Sequence, residues 1–211
     1  EPVLDRWSPK VRAFNTMAGK DPTEVRRRCT SMLGGTLAIG SGPMPFYAGE
    51  HLLNEGYCCS FRVVGVDSER HPGAGAFALG VSRVPPTDSR LQGPRCPINA
   101  YEVPDVVMVG YGAKYIEERK WHSVPWDSSA LKMHDRMAML VTPAGDLVIF
   151  VNDKQVVRIA TGLGASSKEE QQKFYPIIDL GGHVDSLLLC PPREPPHVQL
   201  RSRNRVQRIL A

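Results

Sequence analysis

The chain has 211 residues, of which 42% are apolar and 23% charged, with a formal net charge of +4. Those proportions are those of a globular domain with a buried core, and no apolar run approaches the ~18 residues that a membrane helix needs. Five arginines against one glutamate in residues 191–211 hold the entire net charge. The basicity therefore belongs to a tail, which argues against nucleic-acid binding by the rest.

Taken in chain order, residues 1–13 read as an N-terminal extension without the basic-then-apolar pattern of a signal peptide. Residues 21–33 are ambiguous. Asp21-Pro22-Thr23-Glu24 has the form of a helix start, and Val25, Cys29, Met32 and Leu33 fall at helical spacing. Val25, Arg27 and Cys29 equally alternate as in a strand. Short β-like runs follow at 35–39, 59–66, 76–81, 106–109, 137–141, 147–151, 155–160, 174–180 and 184–190. Gly, Pro, Asn and Asp punctuate them, so the pattern predicts an antiparallel sandwich or barrel. No long 3.6-period segment supplies the crossovers of a parallel sheet. Several runs are apolar on both faces, which predicts strands covered on both faces. Asn152-Asp153 marks a tight hairpin between two of them. Residues 164–173 read as a solvated loop. Four prolines between 191 and 196 end the last strand and open a Pro/Arg-rich tail over 191–211.

A search for chemistry returns little. The five cysteines form no CxxC pair and no zinc-spaced group with the six histidines. They read as free thiols in a reducing, cytoplasmic setting, with adjacent Cys58 and Cys59 pointing to opposite faces of one strand. No nucleophile elbow or phosphate loop is present. No pair of carboxylates suggests a glycosidase. The expectation is a non-enzyme without metal or cofactor. Arg26, Arg27 and Arg28 form a charge run that is either a solvated strand face or a site for an acidic partner. Tyr111, Lys114, Tyr115, Trp121 and Trp126 cluster in a Gly/Pro-bounded segment. Aromatics so placed either anchor a partner or plug the ends of a sandwich.

Five stretches, in order, resemble the Neuralized homology repeat, a β-sandwich module related to SPRY domains. They are EVRRRCTSMLGGTLAIGSGPM (24–44), CSFRVVGV (59–66), GAFALGVSRVPPTD (75–88), HDRMAMLVTPAGDLVIFVND (134–153) and FYPIIDLGGHVDSLLL (174–189). The resemblance spans residues 14–190 and tips 25–30 toward a strand. His134 and Asp153 stand where the family usually has glycine. The resemblance implies an all-β, SPRY-like sandwich that recognises other proteins, as a substrate or adaptor reader linked to ubiquitin ligation. The Cys/His spacing of a RING is absent, so transfer chemistry falls to another segment or to a partner. Candidate partner-binding residues are Arg26, Arg27, Arg28, Tyr111, Lys114, Tyr115, Trp121 and Trp126. The alternative is binding to anionic lipid or phosphoinositide through Arg201, Arg203, Arg205 and Arg208.

Overall fold

The computed structural model describes residues 4–12, 15–28, 35–48, 55–67, 77–92, 97–161, 163 and 172–196. These form an all-β antiparallel sandwich of fifteen strands. Nine are the expected runs, observed as β4 (Leu37–Gly40), β6 (Gly56–Val66), β7 (Ala78–Ser82), β8 (Val106–Val109), β11 (Arg136–Val141), β12 (Asp146–Val151), β13 (Lys154–Ala160), β14 (Tyr175–Asp179) and β15 (Val184–Leu189). The described part of the ambiguous segment holds strand β3 (Glu24–Arg27), while residues 29–33 lie outside the described residues. Its helix-start signature is a turn: the Asp21 carboxylate accepts from the Thr23 backbone and hydroxyl, and Glu24 N–H donates to the Asp21 carbonyl. The remaining strands are β1 (Trp7–Arg12), β2 (Thr16–Ala18), β5 (Phe46–Tyr47), β9 (Lys114–Glu117) and β10 (Lys120–Ser123).

Sheet I runs β1-β4-β14-β7-β8-β9-β10, and sheet II runs β13-β12-β11-β6-β15-β3-β2 with β5 beside β6. Residues 7–12, ahead of the expected 14–190 span, form the edge strand of sheet I, and Pro9, which has no N–H to donate, is tolerated there because an edge leaves one side unpaired. Trp7 is fully buried, stacks on Phe61 with centroids 5.8 Å apart, and donates its indole N–H to the Thr23 carbonyl at 2.8 Å.

Three apolar layers follow from the two-faced strands. The main core lies between the sheets. A second lies on the outer face of sheet I, where Val84, Leu91, Ala100 and Val103 cover Leu37, Ile39, Met108 and Ile177. A third lies on sheet II around Cys58, Leu140 and Phe150. Cys58 and Cys59 fall in different layers, as alternation requires. Burial pushes the Cys58 thiol up to about 12 and Cys59 well above its usual range. Both stay protonated and unreactive at neutral pH. Cys29 and Cys96 lie outside the described residues. No helix among those residues is long and apolar enough to cross a membrane.

His134 and Asp153 both have positive φ, 71° and 64°. The left-handed region costs a side chain ~1–2 kcal/mol that glycine does not incur. Replacing exposed His134 by Gly is therefore expected to raise stability by about 1 kcal/mol, read as a higher urea midpoint at unchanged slope. A lower midpoint would show that the imidazole is held by something more than this turn.

Candidate functional site: an aromatic platform beside a cleft

The segment 110–126 folds as a hairpin, β9 and β10, closed by Glu118 and Arg119 at φ 48° and 62°. Its register sorts the aromatics onto two faces. Ile116 pairs with Trp121, and Tyr115 with His122. Tyr115 stacks on His122 at 4.7 Å and packs toward the main core. Trp121 stands on the opposite, outer face of sheet I. It meets Tyr111 edge to face at 5.3 Å and Tyr101 at 5.6 Å, and the two tyrosines meet at 6.0 Å. Trp121 remains 47% exposed. Each edge-to-face pair adds ~0.5–1.5 kcal/mol beyond its buried area, so the triad forms a fixed surface rather than three independent side chains.

A buried carboxylate holds this surface from beneath. Along β14, Tyr175, Ile177 and Asp179 alternate onto the outer face of sheet I, and Asp179 is 6% exposed. It accepts from the Tyr111 hydroxyl at 2.9 Å, from the Thr36 hydroxyl and from the backbone of Ala100. One group thus ties down Tyr111 and the short turn Ala100–Glu102 that carries Tyr101. Burial lifts Asp179 above the usual carboxylate range although these donors pull it down. Burial, with the Asp179 charge beside it, lifts the Tyr111 phenol well above its ordinary value. Gly110, at φ 123°, lets the chain leave β8 toward Tyr111; a Cβ there would lie 2.5 Å from the Phe77 carbonyl oxygen.

Next to the platform is a cleft of about 370 Å³. Tyr101 and Val103 form part of its wall, and Arg83, Asp105, Glu117, Glu118 and Arg119 bring both signs of charge to it. An exposed aromatic anchor beside a recess with mixed polar groups is the usual form of a protein-recognition hot spot.

The expected site residues are not all brought together. Tyr111 and Trp121 share the platform, and Lys114 is exposed opposite Ser123 on the same hairpin. Tyr115 faces the other way. Trp126 is buried in the main core, so it is a plug and not an anchor. The arginine run divides by alternation. Arg26 and Arg28 are exposed, with Arg26 at 2.5 Å from Glu24. Arg27 shares the inward face with Val25, and its guanidinium donates to the carbonyls of Gly182 at 2.8 Å and Leu180 at 3.2 Å. It is a structural cation, unavailable to a partner. Arg201, Arg203, Arg205 and Arg208 lie outside the described residues. Tyr101 and Asp179 were not among the sequence candidates. The single Asp in the apolar strand YPIID was the available signal.

A family model described as Neuralized matches residues 60–191. The structure is similar to the crystal structure of the Drosophila melanogaster neuralized-NHR1 domain, with a TM-score of 0.63 and 14% identity, covering 89% of this chain and 98% of that one. It is also similar to the solution structure of the NEUZ (NHR) domain in Neuralized from Drosophila melanogaster, with a TM-score of 0.61 and 16% identity, covering 88% of this chain and 90% of that one. Stonustoxin matches at a TM-score of 0.53 and 10% identity over 88% of this chain and 26% of its own. At such identities these likenesses establish the fold alone. No curated protein matches the chain significantly in sequence.

Proposed function

Because this chain belongs to the Neuralized family, we propose that its homology repeat, a protein-interaction domain, reads a substrate or adaptor protein on behalf of a ubiquitin ligase. The carrying observation is the Tyr101–Tyr111–Trp121 platform, whose outer member stays exposed while its inner member is pinned to Asp179. A rigid aromatic surface gains affinity because little side-chain entropy remains to be lost on binding. The cleft wall at Tyr101 and Val103 gives a partner side chain an apolar seat, and the mixed charges around it set orientation. The reading is non-catalytic: Asp179 is held for structure by three donors and is shielded from solvent.

The test is capture of a partner with the full chain, followed by affinity measurement on the purified partner. Trp121→Ala is expected to weaken binding by about 2 kcal/mol, roughly 30-fold, as central interface aromatics do. Far-UV circular dichroism should stay unchanged, because Trp121 sits at an exposed edge. Arg26→Ala serves as the control for an exposed residue elsewhere. A partner held equally by wild type and Trp121→Ala would remove the platform as the binding surface.

A further inference from the structure

A second recess, of about 330 Å³, lies on sheet II, where β6, β11 and β15 meet the chain leaving β15. Arg62, Arg136 and Arg193 line it, with Ser60, Leu188, Cys190, Pro191 and Pro192. Arg62 and Arg136 are direct cross-strand partners. Like charges in that position repel and destabilise a sheet. Among the described residues, neither has a carboxylate at ion-pair distance, whereas Arg193 reaches Asp153 at 2.5 Å. The three guanidiniums converge: burial pushes the Cys190 thiol up, and each of the three pulls it back down. The Ser60 hydroxyl is buried beside that thiol and, by hydrogen bonding to it, helps pull it down as well.

Three cations less one carboxylate leave a local charge of +2, which matches a phosphate monoester near its dianionic form. A single carboxylate would offset only half of it. We propose that this recess binds the phosphorylated serine or threonine side chain of a partner protein. Arg62 and Arg136 would grip the phosphate oxygens as planar, two-pronged donors. Leu188, Pro191 and Pro192 would flank the aliphatic part of the side chain. A peptide side chain fits better than a lipid surface. Among the described residues, the exposed large apolar side chains Met17, Phe46, Ile98, Trp121 and Met133 are all absent from this recess, so none of them is placed at its rim to enter a bilayer. The platform lies on the outer face of the other sheet, so the two sites are independent.

The test titrates the full chain with N-acetyl-phosphoserine methylamide, following arginine Nε–H signals by NMR. N-acetylserine methylamide, inorganic phosphate and phosphoinositide-containing vesicles are the comparison arms. The expected result is saturable shifts at Arg62 and Arg136 with the phosphoserine probe, weaker ones with inorganic phosphate and none with the serine probe. Arg62→Gln and Arg136→Gln should each lower affinity about tenfold, and Arg26→Gln should not. Without any ligand, Arg62→Gln should melt at or above wild type, because it removes a like-charge pair. The proposal is overturned by no saturable shift, by equal affinity in the variants, or by inorganic phosphate binding as tightly as the phosphoserine probe. Binding to vesicles alone would also overturn it, in favour of a membrane. A lower melting point for Arg62→Gln would show the two arginines already compensated within the fold, and would overturn it too.

Discussion

A chain beginning at residue 14 is expected to lose about 3–5 kcal/mol of folding stability, the cost of deleting a fully buried tryptophan. Trp7 is the reason. It is completely enclosed, stacks on Phe61 of the facing sheet, and donates its indole N–H to the Thr23 carbonyl. Removing it opens a cavity between the sheets, exposes β4 as a new edge, and leaves that carbonyl without its indole partner. Domains of this size hold only ~5–15 kcal/mol in total, so the shortened chain should unfold at a markedly lower urea concentration. Trp7→Ala in the full chain separates the causes. If the side chain carries the effect, the point variant reproduces most of the loss seen on truncation. An unchanged midpoint on truncation would mean that β1 contributes nothing to the sandwich.

The strands with a long apolar run were legible even where a proline or charge interrupts them, as in β14, whereas the missed ones are mostly polar or, like β2 and β5, only three and two residues long. The run 106–109 matches β8 residue for residue, because Val-Val-Met-Val is covered on both faces and is bounded by Asp105 and Gly110. Strand β1 was hidden by Pro9, which the edge position makes harmless. Strands β9 and β10 were hidden by Lys114, Glu117, Glu118, Arg119 and Lys120, which together resemble a loop. Their turn also lacks Gly or Asn, since Glu118 and Arg119 adopt the left-handed conformation themselves. The site was half legible for the same reason. Tyr111 and Trp121 advertise themselves by type, but Tyr101 reaches them from another segment, across a distance that no local pattern encodes. The triple arginine misled by composition: alternation sends its middle member inward, where the carbonyls of the β14–β15 turn and the Asp67 carboxylate 3.9 Å away help make that burial tolerable. Asp179 carries the same lesson from the other side. A charged residue within an apolar strand is either paired or protonated, and the three-dimensional structure alone shows its donors.

Asp179→Ala is expected to cost about 3–5 kcal/mol and to loosen the platform as well. The substitution leaves Tyr111 Oη, Thr36 Oγ1 and the Ala100 N–H buried without their acceptor, at ~1–3 kcal/mol for each donor that finds no water. Because Tyr111 and the Ala100–Glu102 turn both depend on that acceptor, partner affinity should fall together with stability. Tyr111→Phe should have the smaller version of both effects. A pH series shows whether the carboxylate is the cause. Burial raises the Asp179 pKa above its ordinary 3.8, so the folded state binds the proton more tightly than the unfolded chain does. The resulting stability is fully present below about pH 3.8 and is lost as pH rises through the folded-state pKa. Asp5, Asp21 and Asp88 are lowered, chiefly by side-chain hydrogen bonds, and act with the opposite sign. All three are present in both wild type and Asp179→Asn, so they cancel in the difference between the two proteins. That difference should therefore favour wild type most at low pH and shrink as pH rises. A difference independent of pH would mean that the carboxyl titrates alike in the folded and unfolded chains, and the anchor of the platform would then be shape alone.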